Sequence, residues 1–282
     1  MSSYLATVLI TAFDRLSSMV EQLKLLEQQT CPADRFEVII IDDSGDINTG
    51  KKAIDAARPK LNIRYLQTGL PREVNGVSMA RNLGIKEAQS PLIISIDDDC
   101  LPHPYLIDEH LRTHQNRGNL IALGSRSRIR DTLKEKPPIT ITERRTRKEL
   151  RRSRMGRLTF FDFKTGNISV SRQDFLQAGL FNENFAQKGE HGWEDIEMGY
   201  RLLKMRMQMT FNPNAMVFQI PTEPEKERFR NQGGAYFRAR DRFLSIHPEL
   251  HPIIGNSFPN NWRRFFWLRR RQNCFLKVPS GE

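Results

Sequence analysis

The chain has 282 residues, 38% hydrophobic and 27% charged, with a formal net charge of +11. This is a globular composition, long enough for one large domain or two small ones. Cys31, Cys100 and Cys274 lie far apart without CxxC spacing, which argues against a disulfide framework or a zinc site and favours a reducing compartment. The start, MSSYLATVLITAF, lacks the basic region of a secretory signal, and no apolar stretch approaches a membrane span.

In chain order, Ala6–Phe13 reads as a strand and RLSSMVEQLKLLEQQ as a helix. Phe36–Asp46 is a second strand ending in acid and turn residues, KKAIDAARP a helix and NIRYLQT a short strand. VSMARNLGIKEAQ is helical and PLIISIDDD the next strand, followed by a helix in HPYLIDEHLRTHQ and a strand in LIALGSRSRI. Order resumes at LTFFDFKTGNISVSRQDFLQAG, and a helix begins near Trp193. Strands that alternate with helices and are apolar throughout indicate a mostly parallel, Rossmann-like α/β sheet with helices on both faces. In such sheets ligands bind beyond the carboxyl ends of the strands.

The positive charge is local. Arg126–Arg157 holds 13 Lys/Arg against 4 Asp/Glu, and Trp262–Lys277 holds 6 Lys/Arg and no acid. The rest of the chain is mildly acidic. The first segment has little apolar periodicity and reads as a long excursion from the core. Either an anionic acceptor or solvent faces it. The second, NWRRFFWLRRR, mixes aromatics with arginines. Either its aromatics pack on the body or they meet an anionic membrane surface. No nucleic-acid-binding motif is present, and no nucleic-acid partner is expected.

Three clusters carry chemistry. Asp97, Asp98 and Asp99 end a buried strand, where like charges repel and desolvation is costly. Oxygen ligands there suit Mg²⁺ or Mn²⁺ shared with substrate phosphates; a solvated acidic turn is the alternative. Asp42 and Asp43 end the second strand, where a carboxylate can accept from a base imide or a ribose hydroxyl. Glu194, Asp195 and Glu197 crowd a helix start, as the helix dipole favours. A carboxylate on such a rigid start, beside Trp193, is well placed as a general base.

The motifs ITAFDR, VIIIDDSGD, ARNLGI, ISIDDDCLPHP, GNISVSR and WEDIEMGYRL occur in the order seen in family-2 glycosyltransferases of the GT-A fold, which this chain resembles from about Thr7 to Pro221. The resemblance implies a GT-A domain over residues 1–221. Residues 1–100 would be its nucleotide-binding half, and 101–221 its acceptor half, containing the basic excursion 126–157. Residues 222–282 would form a helical, basic and aromatic extension. It implies donor contacts from Thr11, Ala12, Phe13, Arg15, Asp42, Asp43, Arg81, Asp97, Asp98 and Trp193, with Asp43 receiving the base imide. Asp97 and Asp99 match the ends of the DxD motif and would hold Mn²⁺ or Mg²⁺ on the diphosphate of a nucleotide-sugar. Asp195 matches the catalytic base, in an ED motif with Glu194.

There are two departures. Where many relatives carry a metal-completing His, this chain has Gln219, which implies either weaker metal binding or a ligand from elsewhere, such as His247 or His251. The QxxRW motif of processive relatives is not found. The expectation is an inverting, non-processive transfer of one sugar from a UDP-sugar to a glycan or lipid-linked acceptor. The expected setting is the cytoplasm or the inner face of its membrane. The other reading is a non-catalytic nucleotide-sugar or glycan binder acting with a partner, which Gln219 favours and the intact acidic set disfavours.

Overall fold

The computed structural model describes residues 4–128, 143–186, 192–220 and 225–254. The chain runs β1 (Ala6–Ala12), α1 (Leu16–Glu27), β2 (Phe36–Asp42), α2 (Thr49–Ala57), β3 (Ile63–Gln67), α3 (Val77–Glu87), β4 (Leu92–Asp97) and β5 (Cys100–Pro102). It continues through α4 (Leu106–His114), β6 (Leu120–Arg128), α5 (Glu143–Arg154), β7 (Asn167–Ser171), α6 (Arg172–Gln177), α7 (Glu194–Lys204), β8 (Gln208–Gln219), α8 (Glu225–Ile246) and α9 (His251–Ile254). Among the described residues the strands form one sheet of order β3-β2-β1-β4-β7-β6-β8-β5.

The first four strands are parallel, and the apolar runs of β1, β2 and β4 are buried on both faces. Side chains alternate between the faces. Val8, Ile10 and Ile94 meet Met19 and Leu23 of α1, while Leu9, Ile39 and Ile93 meet Ala80 and Ile85 of α3. Beyond β4 the sheet changes sense. β7 runs antiparallel to both β4 and β6, whereas β6 and β8 are parallel. Because Ile96 pairs with Asn167, the start of β7 lies beside the carboxyl end of β4. This juxtaposition places the GN turn next to the aspartates.

A third cluster joins Phe160, Phe185, Trp193 and Ile196 to Phe243, Leu244, Leu250 and Ile254. Tyr236, Ala239, Phe243, Leu244, Leu250 and Ile254 therefore share a core with residues before the boundary expected at 221. The basic stretch also contains more order than its sequence suggests. α5 sets Leu150 against the second cluster. Arg152 Nη1 donates to Asp162 Oδ1 at 2.6 Å, and the Ser153 hydroxyl accepts from the Phe211 amide at 2.8 Å. The basic–aromatic segment Trp262–Arg271 lies outside the described residues. Among the described residues no helix is long and apolar enough to cross a membrane.

Candidate active site

The site is built where β1, β2 and β4 end, opposite the start of α7. Asp98 ties two strand ends together. Its carboxylate, 1% exposed, accepts from the Phe13 amide at 2.7 Å and from Arg15 Nη1 at 2.5 Å. Burial pushes its pKa up to about 6, against the pull of Arg15. Asp98 and Arg15, both expected at the donor, thus occupy each other. The other internal struts are the Ser18 hydroxyl, donating to Asp98 O at 2.8 Å, and the Gln22 amide, donating to Asp97 O at 2.9 Å.

Asp42 is also inward. It accepts from the amides of Ser44 at 2.9 Å and Gly50 at 2.7 Å, and from Tyr65 OH at 3.1 Å. These bonds close the turn after β2, a different task from the donor contact expected of it. Asp43 stands next to it at the strand end. It accepts from Thr68 Oγ1 at 2.7 Å and the Gly76 amide at 2.9 Å, and its amide donates to Ala12 O at 3.0 Å. Gly76 is required there, since a Cβ would lie 2.1 Å from Asp43 Oδ1. Burial raises the Asp43 pKa, while the bonds from Thr68 and Gly76 oppose the shift. Thr11 pairs with Asp97 across the β1/β4 ladder, and Phe13 is exposed beneath the Arg72 guanidinium, 5.4 Å from its ring centre.

Asp97, Asp99 and Cys100 can each bring a ligand atom within 4.8 Å of the others. Burial raises the Asp97 pKa; Arg126 and Arg81 oppose it, and Asp99 and Asp195 add to it. The Cys100 thiol, pushed well up by burial and by Asp97, donates to Asp99 Oδ1 at 3.4 Å. The available donors are therefore carboxylate oxygens. Like charges converge on them, so the residues fit a hard divalent cation. Gln219 Nε2 donates to Asp99 Oδ2 at 3.1 Å, filling one acceptor position where the resemblance anticipates an imidazole. His247 does not replace it. Its Nε2 meets Glu197 Oε1 at 3.2 Å, and its ring packs on Tyr200 and Phe243. His251 opens α9, outside the acidic group.

Arg81, on α3 and 5% exposed, binds the start of α7 and interacts electrostatically with Asp97. One of its nitrogens, Nη1, donates to Glu194 Oε1 at 3.1 Å and to Asp195 Oδ1 at 3.0 Å. Burial and then Asp195 raise the Glu194 pKa, opposed by Arg81. Asp195 is also held by Thr165, whose hydroxyl donates to Oδ1 at 2.9 Å and whose amide donates to Oδ2 at 3.3 Å. A carboxylate has about four acceptor positions. With these three bonds among the described residues, Oδ2 keeps an open one.

Trp193 precedes this helix with φ 73, a left-handed conformation that costs a bulky residue about 1–3 kcal/mol. Its ring is 2% exposed and packs 5.2 Å from Phe243 and 5.5 Å from Tyr236 of α8. The burial offsets the strain and fixes the start of α7. Trp193, expected among the donor contacts, thus braces α7 against α8. Thr165 and Arg126 were not anticipated as site residues; a lone Thr and one Arg of a basic run carry no periodic signal.

A curled, mostly parallel α/β sheet with an acidic centre at its strand ends defines the GT-A class. The sequence profile of Glycosyl transferase family 2 matches residues 7–177, and the chain belongs to that family. Validoxylamine A glucosyltransferase of Streptomyces hygroscopicus subsp. jinggangensis is 28% identical over 98% of this chain and 66% of its own length. Hyaluronan synthase of Pasteurella multocida is 26% identical over 88% of this chain and 28% of its own. The chain thus spans less than two thirds of the length of these curated relatives. Among solved structures, S. aureus TarS 1-349 in complex with UDP-GlcNAc superposes with a TM-score of 0.63 at 16% identity, covering 98% of this chain and 76% of that one. Mannosyltransferase PcManGT from Pyrobaculum calidifontis, in complex with GDP-Man and Mn²⁺, gives 0.59 at 16% identity, covering 80% and 60%.

Proposed function

We propose that the protein is an inverting, non-processive glycosyltransferase that moves one sugar from a nucleoside diphosphate donor, with UDP as the nucleotide, to an acceptor hydroxyl. The observation that carries this reading is the Arg81 bridge. It sets Asp195, which keeps an open acceptor position, across from the acidic ends of β4. Asp43 and Thr11 face the base, and residues 1–100 form the donor half. Asp97 and Asp99 would hold Mn²⁺ or Mg²⁺, which when bound offsets charge growing on the leaving diphosphate. Asp195 Oδ2 takes the proton of the acceptor hydroxyl as that oxygen attacks the anomeric carbon. Thr165 and Arg81 hold the carboxylate in line, and Glu194 shares Arg81 rather than touching the reacting atoms. Residues 101–221 form the acceptor half, with a glycan or lipid-linked hydroxyl as substrate.

The basic and aromatic sequence of residues 262–277 supports a peripheral position on an anionic membrane surface at the cytoplasmic side. Co-sedimentation with anionic but not neutral vesicles, weakened by salt, is the expected result for that part of the reading.

The test of the central reading is calorimetry of UDP with Mn²⁺ and with EDTA. Binding that needs the metal is expected, and equal affinity in both conditions removes the metal from the reading. The second reading, a non-catalytic binder, draws on the Gln219–Asp99 bond. It predicts UDP binding without UDP release from any UDP-sugar, in the presence of any acceptor.

A further inference from the structure

Arg126 stands among the aspartates of the candidate site. It lies on β6, two residues before the end of that strand, in register with Val217. Its Nη2 is 3.8 Å from Asp97 Oδ2, and its charge also acts on Asp99 and Asp195. At 3.8 Å the pair is an ionic contact, longer than a hydrogen bond. Among the described residues no hydrogen bond anchors the guanidinium. Both side chains are partly open, 25% for Arg126 and 30% for Asp97. The chain also makes room for them. At Gly166 a Cβ would lie 2.4 Å from Asp97 Oδ2 and 2.5 Å from Arg126 Nη1. Any side chain there would displace one of the two, so Gly166 is a gap that lets a cation reach the acidic centre from the β6 side.

We propose that Arg126 is a built-in cation of this centre, neutralising Asp97 before the metal binds and turning its fork to the donor diphosphate once the metal holds Asp97. The proposal rests on the donor site of the proposed function and adds to it a competition followed by a cooperation. Guanidinium and metal both seek Asp97, so each weakens the other while the site is otherwise free. A diphosphate offers enough anionic oxygens for both, and a planar guanidinium fork suits phosphate bidentately. Removing the charge of Arg126 must then change the two affinities in opposite directions. A purely structural arginine has no reason to do so.

The experiment uses the full chain. Mn²⁺ alone is titrated by the electron paramagnetic resonance signal of the free ion, and UDP is titrated by calorimetry at saturating Mn²⁺. Arg126→Gln is expected to bind Mn²⁺ about tenfold more tightly and UDP about tenfold more weakly than the natural chain, the scale of one charge-assisted contact. Unchanged or weaker Mn²⁺ binding overturns the proposal, as does unchanged UDP binding. Arg126→Lys keeps the charge but not the fork. It is expected to bind Mn²⁺ within about twofold of the natural chain and UDP more weakly. This variant decides the question if circular dichroism shows the Gln variant unfolded, and natural UDP affinity in it overturns the proposal. A natural chain that binds neither Mn²⁺ nor UDP removes the donor-site reading and the inference together. One that binds both, with Arg126→Gln unchanged, removes the inference alone.

Discussion

Thr165 grips Asp195 twice, its hydroxyl donating to Oδ1 at 2.9 Å and its amide to Oδ2 at 3.3 Å. The amide bond survives every substitution but proline; the hydroxyl bond needs Thr or Ser. Thr165→Val is nearly isosteric and should lower turnover on the order of tenfold, with the donor KM unchanged, because the lost bond orients the base without touching the donor. Thr165→Ser should restore it. Initial rates of UDP release across a donor series check this, and a raised donor KM with full turnover would place Thr165 at the donor instead.

Asp99 and Asp195 should fail differently. Asp99→Ala removes a carboxylate from the acidic group and is expected to weaken Mn²⁺-dependent UDP binding as well as turnover. Asp195→Asn keeps the shape and, through Oδ1, the bonds from the Thr165 hydroxyl and Arg81, while an amide nitrogen replaces Oδ2. It should leave UDP affinity nearly intact while lowering turnover by a factor on the order of 10²–10⁴. Calorimetry paired with turnover separates the two, and full turnover in Asp195→Asn would move the base to another residue.

Beneath the site, His110 is fully buried between Ser169 Oγ at 2.8 Å and Asn167 Oδ1 at 2.9 Å. Burial lowers its pKa from 6.5 to about 4. Below the ordinary value the unfolded chain binds the proton that the folded chain refuses. The stability tied to His110 is therefore full above pH 6.5 and lost as pH falls toward about 4. From pH 7 to pH 5 that loss is about 2 kcal/mol. His114, lowered in the same way, adds to the trend. Urea unfolding of the natural chain and of His110→Gln at both pH values isolates the contribution, since the variant should lack it. Parallel pH dependence in the two proteins would show that His110 does not titrate on unfolding.

Phe243→Ala opens a cavity beneath Trp193. The stability cost should be about 3–5 kcal/mol, read from the urea midpoint. Trp193 keeps its positive φ only while its ring is held, so the start of α7 should loosen and turnover should fall. UDP affinity should stay, because among the described residues Phe243 packs on Phe160, Trp193, Tyr200 and His247, away from Asp43 and Asp97. A variant that loses UDP binding while remaining folded would contradict this separation.

Some of this architecture could be read directly from the sequence. The apolar runs before Asp42 and Asp97 mark parallel strands buried on both faces, and the acids at their ends mark where charge collects. Side-chain direction is not encoded at that level. Nothing local tells Asp42 to turn back onto Gly50 while Asp43 faces Thr68, or tells Asp98 to seek Arg15. Trp193 needed its tertiary partner, because α8 lies more than thirty residues on in the chain. α5 escaped because its sequence, ERRTRKELRRSR, holds one apolar residue, Leu150, too few to show a helical period. The antiparallel insertion of β7 depends on long-range pairing that no short motif specifies.

The chain between β6 and β7 starts and finishes at one rim. β6 ends at Arg128 opposite Gln219, and Thr165 lies against Asp195. Closing a longer loop between two fixed anchors costs only about 0.6 kcal/mol per doubling of its length. Added length in this stretch is therefore cheap for the sheet so long as the packed positions Leu150, Phe160 and Phe163 are kept.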